Sequence, residues 1–84
     1  MLRDRDQVLR FEEVMVKEGS HLVGKKICES KVKEKTGALI VAIKRASTGG
    51  FEYNPAREAE ILANDVLIVI ATPDMHQELE KITS

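Results

Sequence analysis

Two stretches of the chain abandon the alternation of apolar and polar positions that marks a strand with one wet face. Residues 38–43 (ALIVAI) and 66–71 (VLIVIA) are apolar throughout. Continuous apolar runs of this length predict strands that want cover on both faces. Residues 11–17 (FEEVMVK) behave differently, with Phe11 and Met15 on one side and Val14 and Val16 on the other, and predict a further strand. Gly19 and Ser20 end it, and Ser20 is placed to cap a short helix whose apolar face is Leu22, Val23 and Ile27. Residues 31–35 are charged except for Val32 and predict a solvated turn closed by Thr36 and Gly37. Ser47, Thr48, Gly49 and Gly50 predict the turn of a hairpin, with residues 51–53 as its returning strand. Asn54 and Pro55 suit an N-cap and a first helical position, for one or two helical turns within residues 55–62. Asn64 and Asp65 predict a tight turn, because asparagine tolerates a left-handed backbone. Thr72 and Pro73 open a helix running to about Ile82, where Met75, Leu79 and Ile82 form one stripe toward the core. The first ten residues, MLRDRDQVLR, alternate in charge at positions 3–6 and predict a solvated linker or a frayed helix end, led in from an upstream segment.

These elements pose a burial problem. Two short helices cover about one face of a four-stranded sheet, and the other face keeps a larger apolar patch than soluble monomers usually carry. The pattern therefore predicts a homodimer with the apolar strands near its two-fold axis. The alternative is that loop 46–65 folds over that face.

Composition narrows the picture. A chain of 84 residues is one domain, and a domain this small buries about 60–65% of its unfolded surface. Phe11, Phe51 and Tyr53 are the only aromatics, so the core must be aliphatic. Thirteen basic residues face fourteen acidic ones, which argues against a general nucleic-acid binder and against a polybasic membrane patch. No apolar run approaches the roughly 18 residues needed to cross a bilayer, and MLRDRDQ has no signal-peptide character. The single cysteine, Cys28, excludes an internal disulfide framework and suits a reducing, cytosolic setting as a buried structural thiol.

Candidate chemistry is sparse. Residues 18–26 (EGSHLVGKK) approach a phosphate-binding loop, but Lys26 stands where the Mg²⁺-binding serine or threonine belongs. Glu52 and Asp74 are poor candidates for a second Mg²⁺ ligand. The stretch reads better as a strand-to-helix turn, with Gly19 for the backbone, Ser20 as cap and Gly24 for close packing. His21, Cys28 and His76 lack the paired spacing of a zinc site; His76 is placed to pair with Glu80 one helical turn on. Ser20 and Ser47 lack a nucleophile elbow. There remains residues 40–45 (IVAIKR) followed by Gly49 and Gly50, an apolar strand ending in cations beside open backbone amides. It offers a lip for a small anionic ligand, which an arginine can grip with two hydrogen bonds, or it is simply a strand running into water.

Taken in order, V-x-E-G-S-x-L-V-G-K at 16–25, IVAIKR at 40–45, Pro55, and NDVLIVIAT at 64–72 resemble the C-terminal regulatory domain of potassium channels and transporters, known as TrkA-C or RCK-C. The resemblance covers about residues 11–82 and assigns 11–84 to the domain. It implies an α+β fold, with a small mixed, mostly antiparallel four-stranded sheet and two short helices on one face. It implies a homodimer behind a nucleotide-binding domain, or within the cytosolic tail of a membrane channel or transporter. Such a domain regulates gating by binding an effector and has no enzymatic activity. Together with the charge balance, the His and Cys spacing and the lack of a long apolar run, this leads us to expect no resident cofactor or metal, no nucleic-acid partner and no direct membrane insertion. In some members the dimer cleft binds cyclic di-AMP, through apolar residues matching Leu39, Ile40 and Ala42 and an arginine matching Arg45. The chain departs from the family at Asn64, where glycine is usual; a left-handed asparagine fills the position with a little strain. Two alternatives stand beside this: a ligand-free dimerisation module in which Leu39 and Phe51 meet across the axis, and a regulatory domain of an anion or amino-acid carrier.

Overall fold

A computed structural model describes residues 2–4 and 7–84. The elements follow as β1 (Leu2–Asp4), β2 (Gln7–Met15), α1 (Ile27–Ser30), α2 (Val32–Thr36), β3 (Leu39–Lys44), β4 (Phe51–Tyr53), β5 (Val66–Ala71) and α3 (Pro73–Thr83). The most apolar strand, β5, takes the centre of a sheet ordered β1-β2-β5-β3-β4. Every pairing is antiparallel. The architecture is the expected α+β one: a four-stranded sheet of β2, β5, β3 and β4 with the helices on one face, extended at the β2 edge by β1. Val14, Ile43, Leu67 and Val69 meet Leu22, Val32, Ile61 and Leu79 in a dry aliphatic core on the helix side. α3 begins where Thr72 and Pro73 predict it. The Thr72 hydroxyl accepts from the Met75 N–H at 3.3 Å, and Leu79 is fully buried.

β3 carries an irregularity that sets the faces of the sheet. Leu39 and Ile40 pair with Ile70 and Val69, whereas Ala42, Ile43 and Lys44 pair with Ile68, Leu67 and Val66. Val41 is the extra residue, a β-bulge. Leu39, Ala42 and Lys44 therefore point to the open face, while Ile40 and Ile43 point to the helices.

Four local expectations are corrected. The charged lead-in is strand where described. Residues 7–10 extend β2, with Arg10 opposite Ala71, and Leu2–Asp4 pair with residues 7–9. Val8 and Leu9, half-buried, supply the apolar grip. Met1, Arg5 and Asp6 of that lead-in lie outside the described residues. The helix expected to follow Ser20 is a pair of turns, and helical structure begins only at Ile27. Residues 31–35 are not a solvated turn: Val32–Thr36 is helical, because Val32 and Thr36 are both buried and the charges fall on the outer side. Gly37, at φ 83°, ends this helix; a Cβ there would lie 3.1 Å from the Met75 Cε of α3. Finally, residues 55–62 form no helix. Asn54 has φ 46°, outside the extended region of an N-cap. The segment runs back along residues 24–28, with Gly24 N–H to Ile61 C=O at 2.7 Å and Ile27 N–H to Ala59 C=O at 2.9 Å, so its backbone groups find partners there.

That last pairing holds the 54–65 loop on the helix side, so it does not cover the open face. Phe11 stays 72% exposed, Tyr53 76%, Met15 and Leu39 50% and Phe51 49%. Val66, Ile68 and Ile70 between them are only half-buried. Phe51 and Tyr53 stack at 5.8 Å at one edge of this face, and the Lys44 ammonium lies 5.8 Å from the Phe51 ring centre.

Candidate functional site

The two ends of β3 differ in chemistry. At its C-terminal end the chain turns through Gly49, at φ 75°, and closes with Arg45 N–H to Gly50 C=O at 2.9 Å. This is the hairpin the glycines predict. Glu52 sits opposite Ile43 and so shares the helix side with Arg45. Asn64 adopts the left-handed backbone expected of it, φ 69°, and turns Asp65 inward until it is 1% exposed. Arg45 Nη1 donates to Asp65 Oδ2 at 2.7 Å and to the Glu60 carbonyl at 2.6 Å. Its Nε and Nη2 donate to Glu52 Oε1 at 3.2 and 2.9 Å. Asp65 also accepts the N–H groups of Ala46 at 2.9 Å and Leu62 at 3.2 Å. Burial alone lowers the Arg45 pKa, but the hydrogen bonds and charges of Asp65 and Glu52 outweigh it and hold the group above the ordinary arginine value. Breaking such a pair leaves a buried carboxylate without its cation, which costs about 3–5 kcal/mol.

At the N-terminal end of β3 the sheet is incomplete. β4 pairs only with Ala42, Ile43 and Lys44. Leu39 and Ile40, adjacent residues on opposite faces of the strand, both border a pocket of about 460 Å³ that α1 and α2 also line. Val32 shares its apolar floor, and three cations, Lys31, Lys33 and Arg57, and one carboxylate, Glu34, stand around its rim. Lys31 and Lys33 form no ion pair among the described residues, and Arg57 has only a loose contact with Glu58 at 3.8 Å.

The structure thus divides the four candidate residues. Leu39 and Ile40 line one cavity. Ala42 is buried on the open face between Ile68 and Tyr53, away from it. Arg45 lies roughly 13–17 Å further along the strand, four to five ladder steps at a rise of about 3.3 Å each, and its donors are engaged within the chain. Glu52, Glu60 and Asp65, and the rim cations Lys31, Lys33 and Arg57, are the residues sequence reasoning missed. Asp65 left one trace: an aspartate leading into an apolar strand needs a cation or amides if it is to be buried.

The other motifs resolve simply. In the glycine turn, Ser20 Oγ accepts from Leu22 N–H at 3.1 Å and donates to the Ile82 carbonyl at 2.6 Å. The N–H groups of Val23, Gly24 and Lys25 bond to the carbonyls of Ser20, Ile61 and Leu22, so none of these amides faces outward for a phosphate. His76 Nδ1 lies 3.9 Å from Glu80, as its spacing predicts, and 3.4 Å from Glu12 on β2. Among the described residues no group of three or more His, Cys, Asp or Glu is placed to hold a metal. No helix among them is long and apolar enough to cross a membrane.

With this geometry, comparison with known proteins is decisive. The family model described as "TrkA-C domain" matches residues 11–84. The chain belongs to the TrkA-C domain family. This TrkA-C domain is similar to the RCK_C domain dimer of S. agalactiae BusR in complex with c-di-AMP, at 31% identity over 89% of this chain and 90% of that one, with TM-score 0.81. It is also similar to the RCK C domain of the potassium transport protein KtrA in complex with c-di-AMP, at 25% identity over 87% of this chain and 81% of that one, TM-score 0.76. A third similar structure is S. agalactiae BusR in complex with its busAB-promotor DNA, at 28% identity and TM-score 0.82, covering 98% of the TrkA-C domain but only 39% of the BusR chain. No curated protein matches. The DNA complex overturns the expectation that nucleic acid has no place among the partners of such proteins. The physical reason is plain: a near-neutral charge balance describes the surface of these 84 residues and says nothing of what a longer protein containing such a domain binds.

Proposed function

We propose that this TrkA-C domain is the effector-sensing, dimerising module of a potassium channel or potassium uptake transporter, held at the cytosolic face of the membrane through its parent protein. It acts by binding and not by catalysis. The observation that carries the reading is the open sheet face beside the Leu39–Ile40 cavity. The face supplies the apolar area that a second copy covers, and the cavity supplies an apolar floor with cations around it. Cyclic di-AMP, found with the similar BusR and KtrA domains, is a two-fold symmetric molecule with two flat bases and two anionic phosphates. A symmetric pair of domains offers each of its halves the same surroundings: Leu39 and Ile40 for a base, Ala42 small enough to keep the strand accessible, and Arg45 or the rim cations for a phosphate. The ligand then works by its differential affinity for two dimer geometries, and its leverage is no larger than that difference.

A second reading keeps the sensor and changes the output: the module informs a DNA-binding regulator. It is favoured by the higher identity to BusR, 31%, than to KtrA, 25%. Titration calorimetry with cyclic di-AMP, beside sedimentation of the free domain, tests the step the two readings share. The expected result is saturable heat at half-equivalent stoichiometry on a dimer. A monomer at micromolar concentration, or no heat, refutes it. Pore segments in the full-length parent favour the first output; a DNA-binding unit favours the second.

A further inference from the structure

We infer that Glu52 is a built-in competitor for the anion that Arg45 receives, so that effector binding and loss of the side-chain tie from β4 to Arg45 are one step. The inference rests on the reading above, in which Arg45 meets an anionic effector. A guanidinium offers separate edges to its acceptors. On one, Nη1 is held by Asp65 at 2.7 Å and the Glu60 carbonyl at 2.6 Å. Asp65 is 1% exposed, so this edge stays fixed: letting go would strand a buried carboxylate. On the other, Nε and Nη2 together hold one oxygen, Oε1 of Glu52, at 3.2 and 2.9 Å. That edge is the one suited to grip a phosphate with two parallel hydrogen bonds. Its present occupant is 41% exposed at the side chain, and Oε2 has no hydrogen-bond partner among the described residues. Glu52 can therefore return to water at little cost, while Arg45 keeps one anionic partner throughout.

The exchange reaches beyond Arg45 because of where Glu52 is attached. β4 is three residues long. Its middle residue, Glu52, faces the helix side, and its outer two, Phe51 and Tyr53, face the open side. Detaching Glu52 removes the side-chain tie between β4 and Arg45, and loosens the strand that presents the stacked aromatic pair to the partner copy. A ligand on one side of the sheet thereby alters the packing surface on the other.

The test compares wild type with Glu52→Gln, which keeps shape and removes charge, and Glu52→Asp, which keeps charge and shortens reach. Each is titrated calorimetrically with cyclic di-AMP after its thermal unfolding has shown it folded. Removing a part-exposed ionic competitor is expected to tighten binding of the Gln variant roughly fivefold, with the Asp variant between it and wild type. Tyr53 is the one tyrosine in a chain without tryptophan, so its fluorescence reports β4. Ligand is expected to shift it in wild type, and less in the Gln variant, whose tie to Arg45 is already weakened. Equal or weaker binding by a folded Gln variant, or by the Asp variant should the Gln variant not fold, overturns the competitor role and leaves the effector reading standing. No binding by any of the three, wild type included, overturns both.

Discussion

The two faces of β5 are built from the same kind of residue and live in different surroundings. Leu67, Val69 and Ala71 are completely enclosed by helices and loop, whereas Val66, Ile68 and Ile70, interleaved with them, are half-covered. Composition cannot distinguish the two sets; the elements packed on each side do. One face is finished within the chain, and the other is left partly uncovered by it. The two ends of β3 repeat the contrast in polar terms: Arg45 is satisfied by its own chain, while Lys31 and Lys33 beside Leu39 and Ile40 form no ion pair among the described residues.

The largest effect that would sharpen this contrast is expected from Arg45→Ala. It orphans Asp65 and is predicted to cost about 3–5 kcal/mol in denaturant unfolding. Leu67→Ala, on the finished face, is expected to cost about 3 kcal/mol, and Ile68→Ala, next to it on the unfinished face, less than half of that when measured at concentrations where copies are apart. Equal losses at the two positions would break the comparison. Replacing Phe11 and Met15 together by serine is expected to leave the unfolding of a single copy within about 0.5 kcal/mol of wild type, while sedimentation shifts toward monomer. If the oligomeric state does not change, the exposed face is not where the copies meet. The cap of α3, on the finished face, matters less than Leu67: Thr72→Ala is expected to cost about 1 kcal/mol in the same unfolding measurement.

Much of the frame was legible because it is written in local periodicity. The strands at 11–17, 38–43 and 66–71, the turn at Gly49, the left-handed Asn64 and the helix after Thr72 all announce themselves within a few residues. What stayed hidden depends on distant partners. α2 looks like a charge run because only Val32 and Thr36 reach inward. The signal at Asn54 and Pro55 for a helix lost to pairing with residues 24–28, a contact no local window contains. Likewise, Arg45 was visible as a strand-end cation, but Glu52, seven residues on, and Asp65, twenty residues on, follow no periodicity that would name them as its acceptors. The homodimer was argued from the surplus of apolar strand surface, and the open face of the sheet displays that surplus.

The bulge at Val41 acts as a half-period delay line in β3. Upstream of it odd-numbered side chains look outward, and downstream they look inward. Were Val41 instead to take an ordinary place in the ladder opposite Ile68, every later residue of the strand would slip by one partner and turn over. Arg45 would then swing to the aromatic side of the sheet, Lys44 would face the core, and Asp65 would be left facing a gap. One surplus residue thus decides which of two adjacent cations is the lock and which is the surface charge.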